Sequence, residues 1–199
     1  MKHLLFLLAF GISAQASLEP VAELQSTVTA SVEALFGEGS ETQSIEAKRD
    51  AVKTAFEKNY NMDIIIRRAI GRNWRRLSSE EQAQILMLVK EVVLKAFIDG
   101  MVGKSRPEIS YDTAVEKGGK RLEIPSTIKI GDLSLEVKYK LALMQSGWEL
   151  YDLVAEGISL VLNYRQQFDQ HFRQGSASEL IEKLEALLKH EKLELETQI

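Results

Sequence analysis

The chain lacks the residues that many catalytic and metal sites require. Its 199 residues include no cysteine, which excludes disulfides, thiolate zinc sites and a cysteine nucleophile. Histidine is scarce, with only His3, His171 and His190, so a histidine-based metal centre is not expected. The G-x-S-x-G, H-E-x-x-H and phosphate-binding glycine motifs are also missing. We therefore predict a protein that is not an enzyme and that carries no metal or other cofactor.

An excess of positive charge is absent as well. The chain has 25 Lys and Arg against 29 Asp and Glu, which gives a net charge of −4. A mildly acidic protein is poorly suited to nucleic acid, because phosphate contacts need a basic surface. Hydrophobic residues make up 45% of the chain, which is enough for a sizeable core, and a length of 199 residues favours one domain.

The N-terminus has the pattern of a cleaved export signal. A short start with Lys2 precedes an apolar run over residues 4–12, and Ala14-Gln15-Ala16 has the small-x-small spacing of a signal-peptidase site. The run is too short to span the apolar layer of a bilayer, which is about 30 Å thick. We expect residues 1–16 to be removed as a signal peptide and residues 17–199 to form the exported, soluble domain.

Apolar residues recur every three or four positions on both sides of the centre of the chain, which predicts amphipathic helices. Ser78 and Glu81 form a capping box at the start of the clearest helix, which continues to about Met101. Ser176 and Glu179 repeat the motif at the last helix, and the charged tail from about residue 191 is expected to fray. The other helices are predicted over residues 20–36, 45–60 and 62–72, and from Gly157 onward.

Between these helical regions the apolar period changes to two, which predicts strands with one buried and one wet face. Alternation is clearest over residues 133–143, and residues 109–115, 122–130 and 148–154 give three more strands joined by short turns. Pro125 would remove a ladder hydrogen bond, so its strand should be bulged or at a sheet edge there. The predicted fold class is α+β, with helices packed around one twisted antiparallel sheet of about four strands.

A cluster of arginines surrounds Trp74. Three interpretations are open: a solvated helix face, a contact for an anionic lipid headgroup or membrane surface, and a docking site for an acidic partner protein. The sequence does not choose among them. The cluster consists of Arg67, Arg68, Arg72, Arg75 and Arg76.

The most distinctive pattern lies in the segment from Trp148 to Val161. It reads W-x-x-Y-D, three hydrophobic residues, E-G, a hydrophobic residue and S. This segment resembles the corresponding part of the MlaC family, also known as toluene-tolerance auxiliary proteins. Residues 64–82, 163–168 and 178–188 are similar to other parts of that family, so the resemblance spans nearly the whole chain after the signal.

The resemblance implies a periplasmic carrier of phospholipid. Members of the family carry phospholipid between an outer-membrane lipoprotein–porin complex and an inner-membrane ABC transporter that contains an MCE protein, in support of outer-membrane lipid asymmetry. In their fold, helices wrap a twisted sheet and leave a deep apolar pocket for the acyl chains, with the headgroup near its mouth. The resemblance thus implies phospholipid as cargo and the two membrane complexes as partners; we also expect a monomer.

The residues expected to line this pocket come from the inward faces of the long helix, the central strand and the junction segment. Each of them also fits an ordinary filled core, and periodicity alone does not separate a core from a cleft. They are Val92, Val93, Phe97, Leu135, Val137, Tyr139, Leu141, Trp148, Leu150, Val154, Ile158 and Val161. The candidates for contact with a headgroup or partner are Arg72, Arg75 and Arg76.

Other functions remain as alternatives to the carrier. They are a periplasmic chaperone for lipoprotein acyl chains, a small periplasmic enzyme on a cone-like α+β scaffold, and an adaptor with a filled core. The known chaperones are nearly all β, whereas this chain is rich in predicted helix. An enzyme would need an acid–base pair in its cleft, and Asp152 and Glu156 are interpreted instead as structural residues that set the strand-to-helix turn.

Overall fold

Helices precede and follow the strands, as the change of apolar period predicts. The computed structural model describes residues 18–193, so the predicted signal peptide lies outside the described residues. Between those limits the elements are, in chain order, α1 Leu18–Phe36, α2 Ile45–Glu57, α3 Met62–Ile70, α4 Ser79–Met101, β1 Glu108–Tyr111, β2 Val115–Glu116, β3 Arg121–Ile130, β4 Leu133–Met144, β5 Gly147–Ala155, β6 Ile158–Ser159, α5 Leu160–Gln174 and α6 Ala177–Leu188. Across residues 18–193 no helix has both the length and the apolar character needed to cross a membrane.

Side-chain caps explain where several helices begin. The Ser78 hydroxyl accepts a hydrogen bond from the Glu81 backbone, and Glu81 accepts one from the Ser78 backbone, which confirms the predicted capping box. Ser176 and Glu179 make the same exchange at α6, and these hydrogen bonds lower the pKa of Glu179. Since each cap satisfies backbone N–H groups that lack a partner inside the helix, the serines fix the first turns of α4 and α6.

The sheet is antiparallel, in the order β1-β3-β4-β5-β6, with β2 also paired to β3. It has six strands within residues 18–193, so the prediction of about four is corrected. The first predicted strand is divided into β1 and β2, and a short β6 follows the turn at Glu156-Gly157. Both residues of that turn have positive φ, at 49° and 79°, which reverses the chain immediately after β5.

Pro125 explains the break between β1 and β2. It lies within β3, opposite Lys138 of β4, and on its other side the pairing with β1 and β2 is interrupted by one extra residue, so the predicted irregularity is present although β3 is not an edge strand of the sheet. Its carbonyl accepts from the Asp112 backbone N–H, so the proline nitrogen also faces the β1 side of the strand. The chain leaves the ladder at residues 112–114, beside Pro125, and there a missing N–H costs no strand hydrogen bond.

The two faces of the sheet differ in polarity. One face carries charged residues of β3 and β4, where Lys138 pairs with Glu123 at 3.6 Å. The other is apolar and lies under α1, whose Leu24 packs with Leu122 and Leu141 in one buried cluster. A second cluster contains side chains from all four helices α3, α4, α5 and α6. A third contains side chains from the end of α1 and from α2 and α4. In this helical layer α1 covers the apolar face, α3 and α5 contact β5, and α4 and α6 pack mainly on other helices.

The C-terminal end of the described residues packs on α4 and is hydrogen-bonded to it. Asp99 is buried on that helix and pairs with Lys95 at 2.8 Å. The same carboxylate accepts a hydrogen bond from the backbone of Leu193, which is itself buried. Residues 194–199, where most of the predicted frayed tail falls, lie outside the described residues.

A buried carboxylate joins the sheet to α5. Asp152 accepts a hydrogen bond from the Ser159 hydroxyl at 2.9 Å and one from the Val161 backbone at 3.3 Å, while Lys140 lies 3.6 Å away. Ser159 also caps α5. These contacts support the interpretation of Asp152 as the residue that sets the strand-to-helix turn.

Replacing Asp152 should destabilise the fold without touching the apolar face. We expect Asp152→Ala to lower the free energy of unfolding by about 3 kcal/mol, because it removes a buried charged acceptor and leaves the buried Val161 N–H and the half-buried Ser159 hydroxyl without it. Urea denaturation measures the change. Asp50→Ala, at an exposed position of α2, is the matched control and should have little effect; an equal effect of both variants would contradict the assignment.

Candidate functional site

Coverage of the apolar sheet face is greatest in its middle and decreases toward both ends. In this covered middle part Leu122, Ile124, Leu141 and Leu150 are at most 2% exposed, whereas Leu143, beside the β4–β5 turn, is 44% exposed. Toward the β3–β4 turn the same face is only half-buried, and Leu133 is 52% exposed. We call this less covered part the open strip, and its members on β1, β3 and β4 are Ile109, Ile128, Ile130, Leu133, Leu135 and Val137.

Strand pairing places the open strip in rows. Ile109, Ile128 and Leu135 are direct neighbours across β1, β3 and β4, and Ile130 faces Leu133 in the next row. Directly opposed residues share a face, so these side chains form a continuous apolar surface. A surface of this kind, partly open to solvent, can bind an apolar molecule that an ordinary filled core would exclude.

The apolar interior continues from the sheet into the helices. Phe56 of α2 packs against the sheet cluster and also against the cluster of α1, α2 and α4. Val93 of α4 joins that third cluster to the cluster of α3 to α6. A cargo that enters at the sheet would therefore meet apolar side chains of at least three helices.

The predicted lining residues fall into separate places. Those on the sheet that lie together are Val137, Tyr139, Leu141, Trp148 and Leu150, with Leu135 beside them in the open strip. Val93 and Phe97 pack in the cluster of α1, α2 and α4. Val92 packs in the cluster of α3 to α6, and Val161 is buried at the start of α5. Val154 lies opposite Lys138 on the polar face, and Ile158 is 61% exposed.

A bulge in β5 decides which side chains of that strand face inward. Lys140 pairs with Asp152 and Leu141 with Leu150, so Tyr151 has no partner on β4. The extra residue shifts the alternation, and as a result Leu150 and Leu153, three positions apart, both reach the sheet cluster. A prediction from strict alternation therefore assigns the residues after the bulge to the wrong face of the sheet.

Three tyrosines lie where the covered middle part of this face meets the open strip. Tyr111 of β1 is opposite Ser126 of β3, next to Tyr139 of β4, and the rings of the two tyrosines are 6.4 Å apart. Tyr60, from the loop after α2, packs in the same cluster and is 3% exposed. Within residues 18–193 the hydroxyls of Tyr60 and Tyr111 have no hydrogen-bond partner.

Burial governs the ionisation of these tyrosines. It raises the pKa of Tyr139 to about 12, against a smaller opposite effect of the hydrogen bond with Ser126. Burial also raises the pKa of Tyr60 and of Tyr111, and for Tyr60 the negative charges of Glu23 and Glu149 add to the effect. All three side chains are therefore neutral hydroxyl groups at physiological pH.

A polar depression of about 360 Å³ adjoins Tyr60. Its walls include Glu57, Lys58 and the buried Glu149, which accepts a hydrogen bond from the Asn61 backbone at 2.9 Å. A second depression, of about 480 Å³, lies between α5 and α6 and is also polar. The deep apolar pocket expected from the sequence stays a prediction.

The arginine cluster divides into paired and unpaired members. Arg67 contacts Asp63 and the ring of Trp74, and Arg68 lies over the ring of Tyr151. Arg72 is exposed and 3.7 Å from Asp169. Arg75 and Arg76 are exposed, and in the described part of the chain they have neither an ion pair nor a hydrogen bond. Residues 18–193 also contain no group of three acidic or histidine side chains that could hold a metal ion.

Sequence reasoning missed Tyr60, Tyr111 and Glu149. Tyr111 could have been found, because it is two positions from Ile109 in the same alternating segment. Tyr60 and Glu149 had no such signal, since a loop residue and a bulged-strand residue reach the interior only through tertiary packing.

These features define a class: an α+β protein with one antiparallel sheet, one apolar face and a helical layer that covers part of it. Residues 25–186 match the family model described as MlaC protein. The chain belongs to the MlaC family, as its resemblance predicted. Among proteins with curated descriptions, none matches the chain significantly.

A solved structure has a similar fold. It is a phospholipid-binding protein from Ralstonia solanacearum in complex with a phospholipid, which superimposes with a TM-score of 0.75 at 17% identity. The match covers 84% of this chain and 95% of that one. At this identity, the likeness shows that the two proteins share a fold.

The buried tyrosines should make the fold sensitive to alkali. Because its pKa is raised in the folded protein, the contribution of Tyr139 to folding stability is fully present below pH ~10 and is lost as pH rises toward 12. We expect the stability advantage of the wild type over Tyr139→Phe to shrink by about 2 kcal/mol over that range. Urea unfolding of both proteins between pH 8 and 11.5 measures it, and parallel pH profiles would contradict the assignment.

Proposed function

We propose that this protein is a periplasmic carrier that binds the acyl chains of a phospholipid against the open strip and the helical layer above it. The single observation that carries the proposal is an apolar sheet face that remains half-buried beneath its helices. Membership of a family with that function and the fold shared with a phospholipid-binding protein support it. Catalysis has no part in this proposal.

The energetics of acyl chains require such a surface. Each methylene group kept from water contributes about 0.8 kcal/mol, so a free diacyl lipid does not cross an aqueous compartment at a useful rate. A carrier must therefore offer comparable apolar area. The open strip supplies one wall, and the residues proposed to complete the site are Val92, Val93, Phe97, Tyr139, Leu141, Trp148, Leu150 and Val161.

Release requires a second state. A site that binds two acyl chains tightly cannot discharge them by simple dissociation at a useful rate, because the apolar contacts that hold them remain. We propose that an outer-membrane lipoprotein–porin complex and an inner-membrane ABC transporter with an MCE protein load and unload the carrier. Each would do so by stabilising a more open arrangement of helices and sheet, with the carrier acting as a monomer.

The exposed arginines are the proposed contact for these membranes or complexes. Arg75 and Arg76 are free of intramolecular pairs in the described chain, and Arg72 is close to them and mostly exposed. Exposed charges act chiefly on the rate of encounter with a surface of opposite sign.

The arginine proposal gives a salt-dependent prediction. We expect Arg75→Glu with Arg76→Glu to slow lipid transfer from the carrier to vesicles rich in phosphatidylglycerol about tenfold at low salt, and much less at 0.5 M salt, where exposed charges are screened. The control is transfer to phosphatidylcholine vesicles, which should be unaffected. Equal slowing with both vesicle types would reject an electrostatic role.

The cargo site is tested by lipid extraction from the protein purified from cells. Leu135→Arg places a charge in the open strip and should reduce the bound phospholipid at least tenfold. The matched control is Ser134→Arg, one position away on the wet face of β4, which should retain wild-type lipid. The measurement is phospholipid per chain by mass spectrometry of the organic phase, alongside the thermal midpoint of each variant.

Two results would reject the carrier proposal. One is a wild-type protein that contains no lipid and takes up none from vesicles. The other is a Leu135→Arg variant that is folded, judged by its thermal midpoint, and still carries a full load of lipid.

A further inference from the structure

The two unpartnered tyrosine hydroxyls lie in a site that the acyl chains alone do not explain. The Tyr60 side chain is 97% buried, as its 3% exposure implies, and its hydroxyl has no hydrogen-bond partner within residues 18–193. The buried hydroxyl of Tyr111 also has none. Leaving a hydroxyl without a partner in an apolar interior costs on the order of 1–3 kcal/mol. Two such groups in one cluster point to a ligand atom that completes them.

The position of the hydroxyls suits the polar linkage of a lipid. Tyr111 shares its sheet row with Ser126 and Val137, and the next row toward the open end is Ile109, Ile128 and Leu135. On the other side, Tyr60 adjoins the polar depression at Glu149. The tyrosines thus stand between an apolar surface that fits acyl chains and a polar depression at the protein surface.

The nearby charges favour a neutral acceptor. Glu23 and Glu149 act on Tyr60, and the depression beside it contains Glu57 and Glu149 against the single cation Lys58 among its lining residues. A phosphate group would be repelled by this excess of carboxylates, whereas an ester carbonyl carries no charge and accepts hydrogen bonds. Phenol hydroxyls that stay neutral remain donors to such an acceptor.

We propose that the hydroxyls of Tyr60 and Tyr111 donate hydrogen bonds to the ester carbonyl oxygens of a bound diacyl glycerolipid. This inference rests on the proposed carrier function and adds the chemical feature that the carrier reads. Because recognition falls on the ester linkage, lipids with different headgroups are accepted and those whose chains are attached through ethers are disfavoured.

A competition between two lipids tests the inference. The delipidated protein is loaded from equimolar diacyl phosphatidylethanolamine and its dialkyl ether analogue with the same headgroup and chain length, and native mass spectrometry gives the ratio of the two complexes. We expect the wild type to favour the diester about tenfold, the effect of two net hydrogen bonds. Tyr60→Phe and Tyr111→Phe should each reduce this preference about threefold, and the double variant should remove it.

Three further arms separate the alternatives. Tyr151 lies under Arg68 and away from this site, so the Tyr151→Phe variant should keep the full preference for the diester lipid. Diacylglycerol, which has the esters but no phosphate, should bind the Tyr60→Phe variant more weakly than the wild type. Urea unfolding of each variant shows that the ring substitution leaves the fold intact, and either single variant suffices if the other is unstable.

The inference is overturned if the wild type takes up the two lipids equally, or if the folded Phe variants retain its preference. It is also overturned if Tyr60→Phe weakens only lipids that contain phosphate, which would assign the hydroxyls to the headgroup. In each of these results the protein still binds lipid and the carrier proposal stands; a wild type that binds neither lipid would reject both.

Discussion

A single sheet with one apolar face is the constraint on which the rest of the structure depends. The face must be covered, and in a chain of this size only the helices can cover it. They pack tightly where α1 lies over Leu122 and Leu141 and less closely toward Leu133. The incomplete cover costs stability, because apolar area that could be buried stays in contact with water. A ligand that fills the space removes this apolar area from water, so ligand binding would also stabilise the fold.

The junction between β5 and α5 determines how the helical layer meets the sheet. Asp152 fixes the start of α5 by binding Ser159 and the Val161 backbone, while the neighbouring bulge at Tyr151 turns Leu150 and Leu153 inward. A charged, buried acceptor with several donors holds its geometry far more strictly than apolar packing does. The junction beside the apolar face is therefore held by rigid polar contacts, whereas the face itself consists of apolar side chains that pack with less directional restraint.

The sequence predicts what depends on local periodicity and capping. The helices at Ser78 and Ser176, the long strand over 133–143 and the α+β class all follow from patterns within a few residues. Pro125 shows the limit: the sequence indicates a lost hydrogen bond, but only the pairing of β3 shows that the proline nitrogen faces the gap between β1 and β2. The candidate site is harder still, because Val154 and Ile158 fit the alternation yet lie on the wet face and at the surface, beyond the bulge. Pairing register and bulges are tertiary properties that a one-dimensional period does not contain.

In the proposed carrier, the tyrosines of this face would resolve a conflict between tight binding and release. A purely apolar cleft holds any hydrocarbon in any position, since dispersion contacts have little direction. Directional donors, the role proposed for the hydroxyls of Tyr60 and Tyr111, would instead fix the depth at which a bound molecule sits, and would lose their effect once it moves by about an ångström. The two hydroxyls come from different layers, Tyr60 from the loop after α2 and Tyr111 from β1. A motion that separates the helices from the sheet would therefore prevent a bound molecule from keeping both of the proposed hydrogen bonds, while the apolar contacts would weaken gradually. Polar donors within an otherwise apolar face would thus couple the position of a bound lipid to the separation of helices and sheet, which apolar contacts alone cannot do.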